Sequence, residues 1–146
     1  MPGEIIIAPA LSSHRQAIVA LLQAEKLPVD DLPADLDYFF IALDGDTVVG
    51  AAGLELYGEY GLLRSLVVDA AYRNHAVAAK LVRAVETKAA SLQLKSLYLL
   101  TETAKTYFEK KGYAPVNRAD VPSEIKQSTE FSHVCPVSAV VMFKPV

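Results

Sequence analysis

The sequence LLRSLVVDAAYRNHAVAAKL, residues 62–81, changes period in its middle. Residues 62–68 form a nearly unbroken apolar run with β-branched residues at its end, the pattern of a strand buried on both faces. Asp69, Ala70, Ala71, Tyr72 and Arg73 break that pattern. From about Asn74 the apolar residues fall at Ala78, Leu81, Val82 and Val85, which predicts an amphipathic helix running to Ser91. A strand that enters a helix through a short polar turn leaves the helix's first backbone N–H groups unpaired, with a partial positive charge of roughly half a unit. Such an end attracts anions, phosphates above all.

On the N-terminal side, residues 4–8 read as a first strand ending at Pro9. Ser12 or Ser13 stands where an N-cap belongs, ahead of Ala17, Ile18, Leu21 and Leu22 on one helical face. Residues 29–38, with Asp30, Asp31, Asp35 and Asp37, are acidic and irregular. They form either a solvated connector or a lid over an acceptor. Residues 39–43, 47–57 and 60–68 are three strands joined by Asp44-Gly45-Asp46 and Gly58-Glu59 turns, an antiparallel meander. Gly50 and Gly53 inside the second of these suggest a bulge or a close approach by something else.

On the C-terminal side, residues 95–100 read as a short strand and 104–111 as a short helix closed by Gly112. Strand, helix, strand implies a parallel crossover that pairs residues 62–68 with 96–100. A strand at 113–116, a helical turn at 122–127 and a last strand at 139–144 complete the chain. The expected class is α/β, a mixed central sheet with helices on both faces.

At 146 residues the chain has the size of one domain, residues 1–146, with one core. Hydrophobic residues at 52% against 21% charged argue for a buried sheet and against disorder. No apolar stretch approaches the roughly 20 residues of a membrane span, and the amino terminus lacks a signal-like core, so a cytoplasmic location is expected. A single cysteine, Cys135, excludes an internal disulfide, and with three scattered histidines no metal site is expected. A net charge of −3 without a basic block makes nucleic acid a poor partner.

The order of residues across 62–81 resembles the acetyl-CoA-binding segment of the GCN5-related N-acetyltransferase (GNAT) superfamily. There a strand is followed by a Gln/Arg-x-x-Gly-x-Gly/Ala turn that wraps the cofactor's pyrophosphate. Arg73 stands at the Gln/Arg position, Ala76 where the first glycine is expected, and Ala78 where Gly or Ala is accepted. The resemblance continues through LYLLTETAKTYFEKKGY (97–113) and VCPVSAVVM (134–142), and so covers most of the chain. Within the superfamily it is similar to small bacterial proteins related to the acetyltransferase domain of N-acetylglutamate synthase, some of them associated with arsenic resistance.

The resemblance implies a sheet whose central parallel strands splay apart, acetyl-CoA as cofactor, and direct transfer in a ternary complex. The acceptor it implies is the amino group of a small molecule, an amino acid or an amino-acid-like compound. Backbone N–H groups of Asn74, His75, Ala76, Val77, Ala78 and Ala79 would bind the pyrophosphate. The backbone of Leu66, Val67 and Val68 would pair with the pantetheine arm as an added strand. Common members carry glycines and a basic residue across this turn, where this chain has Asn74, His75 and Ala76. Two other functions compete with this one: a non-catalytic binding or regulatory module, and acetylation of a protein amino terminus or lysine. The apolar SAVVMF strand is of the kind that often pairs across a homodimer in this fold, and the sequence leaves the oligomeric state open.

Acyl transfer to an amine needs a base, and Glu55 is the candidate, a carboxylate among Gly53, Leu54 and Leu56. Simple alternation with Leu54 and Leu56 would instead place it on the solvent face. The superfamily often credits protonation of the leaving thiolate to a tyrosine four residues before the helix-ending glycine. Phe108 holds that position here and Tyr107 adjoins it, displaced by about 100° around a helix. Tyr107 is thus either the acid or a packed aromatic. Arg64, inside the apolar strand, demands a partner. The resemblance to N-acetylglutamate synthase relatives implies the carboxylate of an amino-acid acceptor; otherwise Arg64 pairs with Glu55 or points outward to solvent. Tyr57 and Tyr60 flank the hairpin as candidates to line the acceptor pocket. Thr101 and Thr103 follow the short strand at its C-terminal end, where ligands of parallel sheets collect. Cys135, with only His133 near it in sequence, reads as structural, and His14 as solvated.

Overall fold

The computed structural model of the chain describes residues 4–146 except 28, 30–31, 74–75, 103, 129–130 and 132–138. Seven strands form one mixed sheet: β1 (Ile5–Pro9), β2 (Phe39–Asp44), β3 (Thr47–Tyr57), β4 (Tyr60–Val68), β5 (Ser96–Thr101), β6 (Ala114–Pro115) and β7 (Val140–Pro145). Their order is β1-β2-β3-β4-β5-β7-β6. The expected meander is β2-β3-β4, extended antiparallel by β1, and β4 with β5 is the parallel pair. This is the arrangement that the sequence resemblance implies.

Among the described residues four α-helices accompany the sheet: α1 (Arg15–Ala24), α2 (Val77–Ser91), α3 (Lys105–Lys110) and α4 (Ser123–Lys126). Adjacent strand residues send their side chains to opposite faces, and the core divides accordingly. Ile41, Ala51 and Val67 meet Ile18 and Leu22 of α1 on one face. Ala42, Ala52 and Leu63 meet Val77, Leu81, Val82 and Val85 of α2 on the other. A third cluster, Leu62, Tyr98 and Val141 with Val121 and Ile125, holds α4. Each fully buried Leu, Ile or Val is worth about 1.5–3 kcal/mol, so these stripes fix both helices on the sheet.

Three local expectations need correction. Neither Ser12 nor Ser13 caps α1: a 3-10 turn at Ser12–His14 precedes it, and Leu11 N donates to His14 Nδ1 at 2.9 Å. His14 is half-buried rather than solvated. The long helix begins at Val77, not near Asn74, behind a 3-10 turn at Ala70–Tyr72. A bulge on β3 falls beside Gly50, as the sequence suggests: pairing with β2 passes from Ala42↔Gly50 to Leu43↔Val48 and leaves Val49 extra. A second bulge, which the sequence does not announce, lies on β4. Pairing passes from Ala51↔Val67 to Gly53↔Arg64, so Ser65 and Leu66 oppose the single Ala52, and Ser65 takes φ 57°. Gly50 and Gly53 mark close approaches, as the sequence suggests. A Cβ at Gly53 would stand 2.5 Å from the Phe39 ring, and one at Gly50 would stand 3.1 Å from Leu81 Cδ1.

Candidate active site

The parallel pairing of β4 with β5 lasts for three residue pairs, Tyr60↔Ser96, Gly61↔Leu97 and Leu62↔Tyr98. Beyond them β5 stays with β7 and β4 stays with β3, so the two strands part. A cleft of about 1080 Å³ opens in the gap. Its walls are residues 63–68 of β4, 99–101 of β5 with Glu102 after it, the start of α2 at 76–79, and Tyr107, Phe108 and Lys111 at α3. The C-terminal end of α1, Leu22 with Glu25, Lys26 and Leu27, closes one side. Leu66, Val67 and Val68 therefore border the gap on an edge that β5 has left.

The start of α2 has an unusual backbone. Ala76, its N-cap, takes φ 60° and ψ 19°, the left-handed region, at the position where the resemblance expects glycine. An L-residue pays about 1–2 kcal/mol for that conformation, so the turn geometry persists although the glycine does not. The first N–H groups of a helix have no intrahelical partner, and here those of Val77, Ala78 and Ala79 lie at the cleft wall. The preceding 3-10 turn is tied down at two points: Ala71 N donates to Asp69 Oδ1 at 2.9 Å, and the Tyr72 hydroxyl donates to Asp44 Oδ2 at 2.6 Å. That hydrogen bond, with burial and the Asp44 charge behind it, raises the Tyr72 phenol above its ordinary pKa. Arg73 is exposed and pairs with Glu25 across the cleft mouth. Asn74, His75 and Thr103 lie outside the described residues, as do His133 and Cys135.

Where the strands part, Arg64 is buried at 3% exposure. Its Nη1 donates to Glu55 Oε1 at 2.8 Å, and its Nε to Ser65 Oγ at 3.1 Å. The register explains the pair: Gly53 faces Arg64 and Glu55 faces Leu62, so Glu55 and Arg64 share one face, one step apart. Glu55 is half-buried, whereas Leu56 beside it is exposed at 40%. The pair stands between the large cleft, which Arg64 lines, and a recess of about 310 Å³, which Glu55 lines. Tyr57 belongs to that recess, with Asp35, Asp37 and Tyr38, and not to the large cleft.

Thr101 lines the cleft, and its Oγ1 accepts from Ala104 N at 3.0 Å, which fixes the start of α3. Tyr107 and Phe108 both reach the cleft wall, because α3 lies along it. Phe108 is buried against the α2-side core. The Tyr107 hydroxyl is buried and has no hydrogen-bond partner among the described residues. Burial, and then the Glu86 charge, raises its pKa. Sequence reasoning missed Glu25, Lys26 and Ser65. No period or motif marks the end of α1 as a cleft wall, and the bulge at Ser65 is hidden in an apolar run.

Among the described residues no helix is long and apolar enough to cross a membrane, and no three His, Cys, Asp or Glu side chains gather where they could hold a metal.

A mixed sheet split along one parallel pair, with a helix start facing the gap, is the arrangement of the GNAT fold. The sequence profile of the acetyltransferase (GNAT) family matches residues 11–113, and the chain belongs to that family. Its members are N-acetyltransferases that use acetyl-CoA. Among solved structures, the chain is similar to N-acetylglutamate synthase from Neisseria gonorrhoeae, solved with coenzyme A and N-acetyl-glutamate. The TM-score is 0.84 at 15% identity, over 99% of this chain and 36% of the synthase. The chain thus spans about a third of that enzyme's length. It is also similar to Rv2747 of Mycobacterium tuberculosis, solved with coenzyme A, at TM-score 0.80 and 21% identity over 97% and 99% of the two chains. A GNAT-family acetyltransferase from Staphylococcus aureus Mu50 gives 0.77 and 22% over 97% and 99%. At these identities the likeness is one of fold. No curated protein matches the chain significantly. The site fits the family's cofactor by its own geometry: a left-handed N-cap, open amides at α2, and a strand edge without a neighbour.

Proposed function

We propose that this protein transfers an acetyl group from acetyl-CoA to the amino group of a small molecule, an amino acid or amino-acid-like compound, in a ternary complex. The observation that carries this reading is the cleft between β4 and β5, bounded by an unpaired strand edge and by the amides that open α2. When bound, acetyl-CoA supplies an activated acyl group as a thioester. Amides of Val77, Ala78 and Ala79 hold the diphosphate, and Arg73 adds an exposed positive charge beside it. The backbone of Leu66, Val67 and Val68 pairs with the extended arm as a neighbouring strand would.

Glu55 and Arg64 form an ion pair in which Arg64 lines the cleft and Glu55 lines the recess, so an anion and a cation stand side by side. That juxtaposition complements an amino acid, whose ammonium approaches Glu55 and whose carboxylate approaches Arg64. Glu55 then accepts the proton that the amine must lose before it can attack. The Tyr107 hydroxyl, buried at the cleft wall, donates to the departing sulfur.

Calorimetry with acetyl-CoA at neutral pH tests the first part, with saturable binding expected. No heat and no thermal shift at millimolar cofactor would overturn the enzymatic reading. A panel of amines followed by release of free thiol tests the second, with amino acids expected to exceed peptides bearing a free amino terminus.

A further inference from the structure

Glu25 is the last feature of α1, and its placement is costly on two counts. It is the C-cap residue of a ten-residue helix, where the helix dipole already places partial negative charge. It also lines the cleft beside the amides that open α2, where an anionic ligand would have to sit. Nothing in the packing of α1 calls for it: Ile18 and Leu22 are the buried residues of that helix. Its polar contact is the ion pair with Arg73, 48 residues away in sequence, across the cleft mouth. Both side chains are partly exposed, at 35% and 51%, so the pair is weak and exchangeable. Among the described residues the other charged groups facing the cleft are Lys26, Lys111, Arg64 and Glu102.

We propose that Glu25 is an affinity-setting counter-ion: it occupies Arg73 in the free protein and yields it to the diphosphate of coenzyme A on binding. The inference rests on the cofactor reading above. Binding then exchanges one partner of Arg73 for another and leaves Glu25 unpaired beside a new anion. Both effects weaken the complex, which favours release of coenzyme A after turnover. Glu25 touches neither reacting atom, so it is a positioning residue that acts through Arg73 and through its own charge.

The experiment is calorimetric titration of the intact protein with coenzyme A, and separately with acetyl-pantetheine, which lacks the diphosphate. Glu25→Gln is expected to tighten coenzyme A binding about threefold or more at low salt, with the gain shrinking as salt rises. Its binding of acetyl-pantetheine should stay unchanged. Arg73→Gln should weaken coenzyme A binding and reduce the gain that Glu25→Gln gives. Glu59→Gln, which removes an equal charge from an exposed pair with Lys95 away from the cleft, should change neither. Unchanged or weaker coenzyme A binding by Glu25→Gln, or an equal change toward acetyl-pantetheine, overturns the inference while the cofactor reading stands. Failure of the unaltered protein to bind coenzyme A overturns the cofactor reading itself.

Discussion

The Tyr113 hydroxyl donates to Glu86 Oε2 at 2.9 Å and so ties the chain leaving α3 to the middle of α2. Lys144 Nζ meets the same oxygen at 3.0 Å from β7. Three elements behind the cleft thereby share one carboxylate. Burial, followed by the Glu86 charge and hydrogen bond, pushes the Tyr113 phenol far above its ordinary value of 10.0. In the unfolded chain that phenol ionises near 10.0, while the folded protein keeps its proton. The folded state therefore binds more protons above about pH 10, and stability falls as pH rises past that point; below it the contribution is whole. Tyr113→Phe should flatten the decline in urea midpoint between about pH 9 and 11. Some decline remains, because Tyr98 and Tyr107 are raised as well. Equal slopes in the two proteins would refute the assignment.

Glu55→Gln should act on both folding and turnover. It removes a countercharge from a guanidinium whose side chain is 2% exposed, at a cost of about 1–3 kcal/mol in urea unfolding. If Glu55 is also the base, turnover of the folded variant drops roughly a hundredfold or more between about pH 6 and 9. Lost stability with intact turnover would keep the ion pair and discard the base.

Ala76→Gly should stabilise the protein by about 1 kcal/mol, since glycine adopts the left-handed region without penalty. A thermal melt would register this as a rise of a few degrees. Ala76→Val should lower the melting temperature. The opposite ranking would mean that α2 starts with another backbone.

Tyr107→Phe removes a buried hydroxyl that has no partner among the described residues, so folding stability should hold or rise by up to about 1 kcal/mol. Turnover should fall roughly tenfold if that hydroxyl donates to the leaving sulfur, with coenzyme A affinity unchanged. A variant as active as the parent would leave solvent as the proton source, which suffices for a thiol whose own pKa is about 8.5.

Periodicity made the meander, the crossover and the long helix legible, because each buries a stripe of Ile, Val or Leu that a strand or helix period exposes. Less was legible where one residue takes a conformation that its type does not announce. Alanine at 76 gives no sign of a left-handed N-cap, so the start of α2 reads three residues early. Ser65 inside an apolar run gives no sign of a bulge. Arg64 could be marked as needing a partner, but choosing Glu55 required the register of β3 on β4. Glu25 and Arg73 meet only through the tertiary fold, and no local pattern joins them.

The short parallel seam has one more consequence. With three rungs joining β4 to β5, the sheet behaves as two ribbons sutured at one end. A guest lying along residues 63–68 becomes a keystone between them. Amide hydrogens at the cleft side of β4 should then exchange with solvent more slowly in its presence, and protease nicking of the chain should slow as well. Such protection reports on occupancy without any knowledge of the acceptor, so it offers a way to screen for ligands of this protein ahead of an activity assay.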